Sequence, residues 1–132
     1  MKALISIKPE FVEKILSGEK LFEYRKAIFK RPGVQSVVIY STMPEGKIVG
    51  EFTIEQILAK HPEELWEQTK QASGINKKFF DEYFSNREMA YAIEIKDLTI
   101  YKEPIDPYKR DCAFKAPQSF KYLDYSSNLC IN

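Results

Sequence analysis

The chain has 132 residues, 44% apolar and 14% aromatic, enough for one buried core and too short for two. Twenty basic residues against nineteen acidic ones leave a net charge of +1, which argues against the broad basic field of a protein that grips long duplexes and leaves room for a pocket taking one or two nucleotides. Cys112 and Cys130 make neither a disulfide framework nor a C-x-x-C, one histidine is too few for a Cys/His zinc site, and no stretch could span a membrane, so the expectation is a reduced, soluble, cytoplasmic protein with no metal and no cofactor.

"ALISI" (3–7) reads as a short strand stopped by Lys8-Pro9. Pro9 suits the first position of a helix, and in "PEFVEKILSG" Phe11, Val12, Ile15 and Leu16 make one apolar stripe that Gly18 ends. The chain re-emerges as a strand in "KLFEYR". "VQSVVIY" (34–40) is a β-branched run, "STMPEG" a turn, and "KIVGEFTIEQIL" a long alternating strand in which Gly50 predicts a bulge or a close backbone approach. His61-Pro62 opens the helix "PEELWEQTKQA". Asn76 caps a second helix, "NKKFFDEYFSN", with Ile75, Phe79, Phe80, Tyr83 and Phe84 on its apolar face. "MAYAIEIKDLTIY" (89–101) alternates again. The segment from "KEPIDPYKR" onward is rich in proline with little periodicity, and "APQSFKYL" predicts a short last strand. The order β-α-β-β-β-α-α-β has no Rossmann crossover pattern. It fits an α+β domain built on a small, mixed, partly closed β-barrel decorated by helices, residues 1–132 forming one unit with 102–132 packed on it as an extension.

Several chemistries have no support. The five glycines are scattered over turns and caps, so there is no phosphate-binding loop. His61, the only imidazole, stands before Pro62 at a helix start, where capping or exposure is the expected role. Cys112 has Arg110 near it, which could lower a thiol pKa, but a plain loop cysteine is the favoured reading. Glu63, Glu64 and Glu67 read as a solvated helix face.

What remains is the charged strand. Glu23 and Arg25 share one face of an extended segment, and Phe22 and Tyr24 the other; Lys20 has the opposite parity but follows Gly18, where the chain turns and the side chain can swing round. Composition alone favours a structural ion pair on a barrel rim over a ligand site.

Family resemblance shifts that balance. "ISIKPEFVEKILSGEKLFEYRK" resembles the opening of the ASCH family, whose mark is G-x-K-x-x-E-x-R, here Gly18, Lys20, Glu23 and Arg25. "VVIYSTMPEGKIVGEFTIEQI", "YAIEI" and "APQSFKYL" resemble later parts of the same domain in the bacterial and phage subgroup described as predicted transcriptional regulators, and the likeness runs to about residue 123. The resemblance implies a PUA-like pseudo-barrel of five or six strands with helices outside, and a cleft beside the first helix that takes RNA or a nucleotide. It implies ligand binding by Lys20, Glu23 and Arg25, which can hold phosphate oxygens and a base edge. Ser41 and Thr42 are candidate hydroxyl contacts, Ser119 a further hydroxyl and Phe120 a stacking ring. Lys109, Arg110, Lys115 and Lys121 make a local basic patch.

Two functions follow from the resemblance. One is an RNA- or nucleotide-binding domain that regulates transcription or translation, without a basic recognition helix of its own for DNA. The other is a small hydrolase, acting on an N4-acetylcytidine-type nucleoside or as a ribonuclease, with Lys20 and Glu23 as the proton-transfer pair. In the similar amidohydrolase the signature lysine is catalytic, but the Glu23 position holds a threonine. Glu23 would stabilise the Lys20 ammonium and so oppose its use as a base, which ranks binding ahead of catalysis.

Overall fold

In the computed structural model, which describes residues 1–123, the alternating segments become strands of one curled six-stranded sheet. Cys130 and the end of the extension lie outside the described residues. The elements are β1 (Lys2–Ile7), α1 (Pro9–Leu16), β2 (Phe22–Arg25), β3 (Ser36–Ser41), β4 (Lys47–Lys60), α2 (Pro62–Thr69), α3 (Lys77–Tyr83), β5 (Ala90–Ile105), α4 (Pro107–Arg110) and β6 (Phe120–Leu123), with a single 3-10 turn, Lys70–Ala72, after α2. The strand order is β2-β5-β4-β3-β1-β6. β1 runs parallel to β3, and the other neighbours are antiparallel. The architecture is the α+β half-barrel expected.

Burial explains the reading of each strand. β1 and β3 are covered on both faces, which is why they are continuous apolar runs rather than alternating ones. Ile5, Ile7, Val37 and Ile39 point into one cluster with Phe52, Ile93 and the α1 residues Val12 and Ile15. Leu4, Val38 and Tyr40 point the other way, against Ile48, Phe114 and Leu123. A third cluster, Tyr24 with Leu65, Phe80, Phe84, Ala90 and Ala92, fixes α2 and α3 to the β2–β5 end of the sheet. Each fully buried aliphatic or aromatic chain contributes about 1.5–3 kcal/mol.

Caps and glycines set the element ends. His61 Nδ1 accepts from the Glu63 N–H at 3.3 Å, the capping role expected of it. Asn76 Oδ1 accepts from the Phe79 N–H at 2.8 Å. At Gly50 the β4 register shifts against both neighbours, and a Cβ there would lie 2.5 Å from the Thr99 carbonyl oxygen, so the expected bulge and close approach are both present.

Up to residue 123, the proline-rich segment carries more regular structure than its sequence suggested. Asp106 caps the four-residue α4 by accepting from the Tyr108 and Lys109 N–H groups, Phe114 is buried, and β6 pairs antiparallel with β1. The outer strand β2 has four residues, and β6 has four among the described residues. Among the described residues no helix is long and apolar enough to cross a membrane.

Candidate functional site

The sheet's curl leaves a cleft of about 640 Å³. Local structure brings the signature residues to it. α1 ends at Gly18, whose φ of +87° turns the chain back, and the Lys20 N–H donates to the Lys14 carbonyl at 3.0 Å. Two residues later β2 begins, its period of two carrying Glu23 and Arg25 to the same face. Lys20, Glu23, Tyr24 and Arg25 all line the cleft.

These charges are withdrawn from water. Lys20 is 2% exposed and Glu23 6%. Arg25 Nη1 pairs with Glu23 Oε2 at 3.1 Å, and Arg25 Nη2 donates to Ser119 Oγ. Lys20 Nζ donates to the Ser73 carbonyl at 2.9 Å and sits 4.6 Å from the centroid of the Tyr24 ring. Gly74, with a φ of +69°, packs on the Lys20 stem, where an added Cβ would come 2.5 Å from Lys20 Cβ. Burying an ion costs several kcal/mol unless partners compensate, so three such side chains in one wall are a costly way to make a rim and a common way to make a site.

The same burial sets the acidity of Lys20. Desolvation pushes its ammonium down from 10.5 to about 8; the Glu23 charge pulls the other way, and Lys14 adds to the lowering. The opposition anticipated from Glu23 is present, but burial outweighs it. Burial also pushes Tyr24 up to about 12, against the hydrogen bond it shares with Thr69.

The other anticipated residues divide. Thr42 lines the cleft, its N–H tied to the Ile7 carbonyl at 3.0 Å. Ser119 meets it through Arg25. Ser41 is buried at the end of β3, in register with Ile7 and Lys47, and is not part of the cleft wall. Phe120 packs edge-on against Phe29, centroids 4.9 Å apart, and against the first core cluster, so its ring is not offered to the cleft. Lys121 covers the Phe114 ring, and Lys109, Arg110 and Lys115 are exposed; none of these four bases lines the cleft. Among the described residues, no three His, Cys, Asp or Glu side chains gather as metal ligands.

Much of the wall was not anticipated. Phe11 from α1 and Ile75, Phe79 and Tyr83 on the α3 side make an aromatic flank. Tyr40, joined to Tyr108 by a hydroxyl contact of 2.8 Å, also lines the cleft, with Pro117 and Gln118 of the extension. The sequence signal for the flank was present: α3 and its C-cap residue carry two aromatic pairs four residues apart, Phe79/Tyr83 and Phe80/Phe84, more than one core-facing stripe can use.

Comparisons with known proteins agree with this fold. A family model described as the ASCH domain matches residues 5–99. The "ASCH domain-containing ribonuclease" of Zymomonas mobilis is 29% identical over 128 residues, 92% of this chain and 84% of that protein. A crystal structure of ASCH from Zymomonas mobilis superposes with a TM-score of 0.85 at 28% identity, covering 94% of this chain and 88% of that one. The large ribosomal subunit protein uL22 of Ureaplasma parvum is 32% identical over 90 residues, 68% of this chain and 29% of that protein.

Proposed function

This chain belongs to the ASCH domain family, and on that premise we propose that its cleft takes up RNA and cleaves the phosphodiester chain. The observation that carries the reading is Lys20: an ammonium held in place by Ser73 and Gly74, buried beside the Glu23–Arg25 pair, with an acidity brought close to the working pH. The ribonuclease name of the Zymomonas mobilis relative supports the same choice of substrate.

The chemistry balances with the residues present. Glu23, as a carboxylate, accepts the proton of a ribose 2′-hydroxyl while the 2′-oxygen attacks phosphorus. The bond from phosphorus to the 5′-oxygen breaks, and Lys20 donates its proton to that oxygen, leaving a 2′,3′-cyclic phosphate and a free 5′-hydroxyl. Arg25 faces the negative charge that gathers on the phosphoryl oxygens, using a planar donor set suited to it. In this reading Lys20 works as the acid, so its nearness to Glu23 aids the step.

A second reading is an RNA-binding domain without turnover, acting in transcription or translation. It is favoured by the Lys20–Ser73 hydrogen bond, which already occupies one of the three ammonium donors. Under both readings residues 102–123 belong to the same unit, since Tyr108, Pro117 and Gln118 wall the cleft, and the working compartment is the cytoplasm. The deciding experiment incubates the protein with a short 5′-labelled RNA and follows both cleavage and fluorescence anisotropy. Cleavage to a cyclic phosphate that Lys20→Ala abolishes, with binding retained, supports the enzyme. Binding without cleavage selects the second reading, and neither binding nor cleavage rejects both.

A further inference from the structure

The cleft wall carries two kinds of chemistry side by side. Lys20, Glu23 and Arg25 supply charge; next to them Phe79 and Tyr83 lie parallel, their rings inclined by 9° with centroids 6.4 Å apart, and Phe11 braces Phe79 edge-on at 5.3 Å. The two meet at Phe11, whose ring centroid is 5.8 Å from Lys20 Nζ, and at the Tyr83 hydroxyl, which donates to the Tyr24 carbonyl at 3.4 Å. Phe79 is 37% exposed, in a helix whose next residue, Phe80, is 1% exposed. The helix therefore supplies the core with one aromatic pair and turns a second toward the cleft. Lys26 Nζ stands over the Tyr83 ring, 4.7 Å from its centroid, and so covers one face of it, which leaves Phe79 as the more open ring of the pair.

A nucleotide joins the same two chemistries, with a flat apolar face on the base and charge on the phosphate beside it. We infer that the Phe79/Tyr83 flank is a stacking wall for one unpaired nucleobase, seated so that the phosphate beside it meets Arg25, and that the substrate is therefore single-stranded RNA. The inference rests on the RNA reading above and narrows it. A base inside a duplex has both faces covered by its neighbours and cannot present one to a side chain. A cleft of about 640 Å³ has no room for an A-form helix. The aromatic flank recognises a π-face, which every base has, so it selects for strandedness more than for sequence.

The test uses the full chain and fluorescence anisotropy with a short labelled single-stranded RNA and with the same strand annealed to its complement. Phe79→Ala and Phe79→Leu should each weaken single-strand binding by about tenfold to a hundredfold, the range for loss of one stacked base, while Phe79→Trp keeps it. Leucine fills most of the space of the ring, so its loss of affinity reports stacking and not collapse of α3. If cleavage is present, the loss should fall on KM and spare kcat. Wild-type protein that binds single strands while Phe79→Leu binds equally well overturns the stacking wall and leaves the RNA reading standing, as does equal affinity for the duplex. Wild-type protein that binds no RNA removes the RNA reading and this inference with it.

Discussion

Replacing Lys20 by methionine should leave the fold at neutral pH at least as stable as wild type and remove the function. The folded state holds this ammonium at about 8 against 10.5 in the unfolded chain. That difference is a penalty of about 3 kcal/mol for keeping the charge buried. Methionine keeps a long unbranched stem over Tyr24 and Gly74 and removes the charge, but leaves the Ser73 carbonyl without its donor, a loss of about 1–3 kcal/mol. At pH 7 the terms nearly offset, with the variant equal to wild type or up to about 2 kcal/mol more stable. The sign of the pH dependence is firmer than that sum. Because the folded-state pKa is lowered, the unfolded chain binds the extra proton between about pH 8 and 10.5, and the wild-type penalty fades across that window as pH rises. The advantage of Lys20→Met should therefore shrink by roughly 2–3 kcal/mol between pH 7 and pH 10. Urea unfolding of both proteins at the two pH values measures it, and the difference between them cancels the titration of every other group. A gap between the proteins that stays constant with pH, or widens in favour of methionine, would refute the account of Lys20 as a charge held against its own solvation.

With Lys20 as the proton donor, RNA cleavage should fall as pH rises through about 8; a rate that climbs through the same pH would make it the base instead, and a flat profile would remove it from the proton transfer. Gly74→Ala should cost about 2–4 kcal/mol, because φ is +69° and the new Cβ drives into the Lys20 stem, and it should lower cleavage further than stability alone explains. Gly18→Ala shares the positive φ but meets nothing within 4 Å, so it should cost only about 1–2 kcal/mol and leave cleavage by the folded protein unchanged; equal effects of the two on activity would remove Gly74 as the support of Lys20. His61→Ala loses one helix cap, about 1 kcal/mol or less by thermal unfolding, with unchanged RNA cleavage; a large loss of activity would return His61 to the candidates.

The legible features of this protein are those governed by local rules. Pro9, His61-Pro62 and Asn76 mark helix starts because they act on the backbone of their own turn. Glu23 and Arg25 could be set on one face by the period of a strand, and they do meet. Gly50 announced the approach of Thr99 because few other reasons put glycine inside a strand. Where partners come from far along the chain, the signal fades. Phe120 reads equally well as a ligand ring or a core ring, and only the folded position of Phe29 decides between them. The extension hides α4 and the burial of Phe114 because four residues show no period and the cluster that holds them is assembled from β1, β3 and β4. The division of α3 into a core pair and a cleft pair was written in its spacing, but the direction of each pair was not.

The bond from Arg25 to Ser119 joins the outermost strand on one side of the sheet to the segment leading into the outermost strand on the other. The half-barrel is thus latched at this seam by a guanidinium and a hydroxyl. On the RNA reading, an entering phosphate would bid for the same guanidinium, so gripping cargo and keeping the seam shut would draw on a single set of donors. A container whose clasp is also its hook would then loosen as it loads.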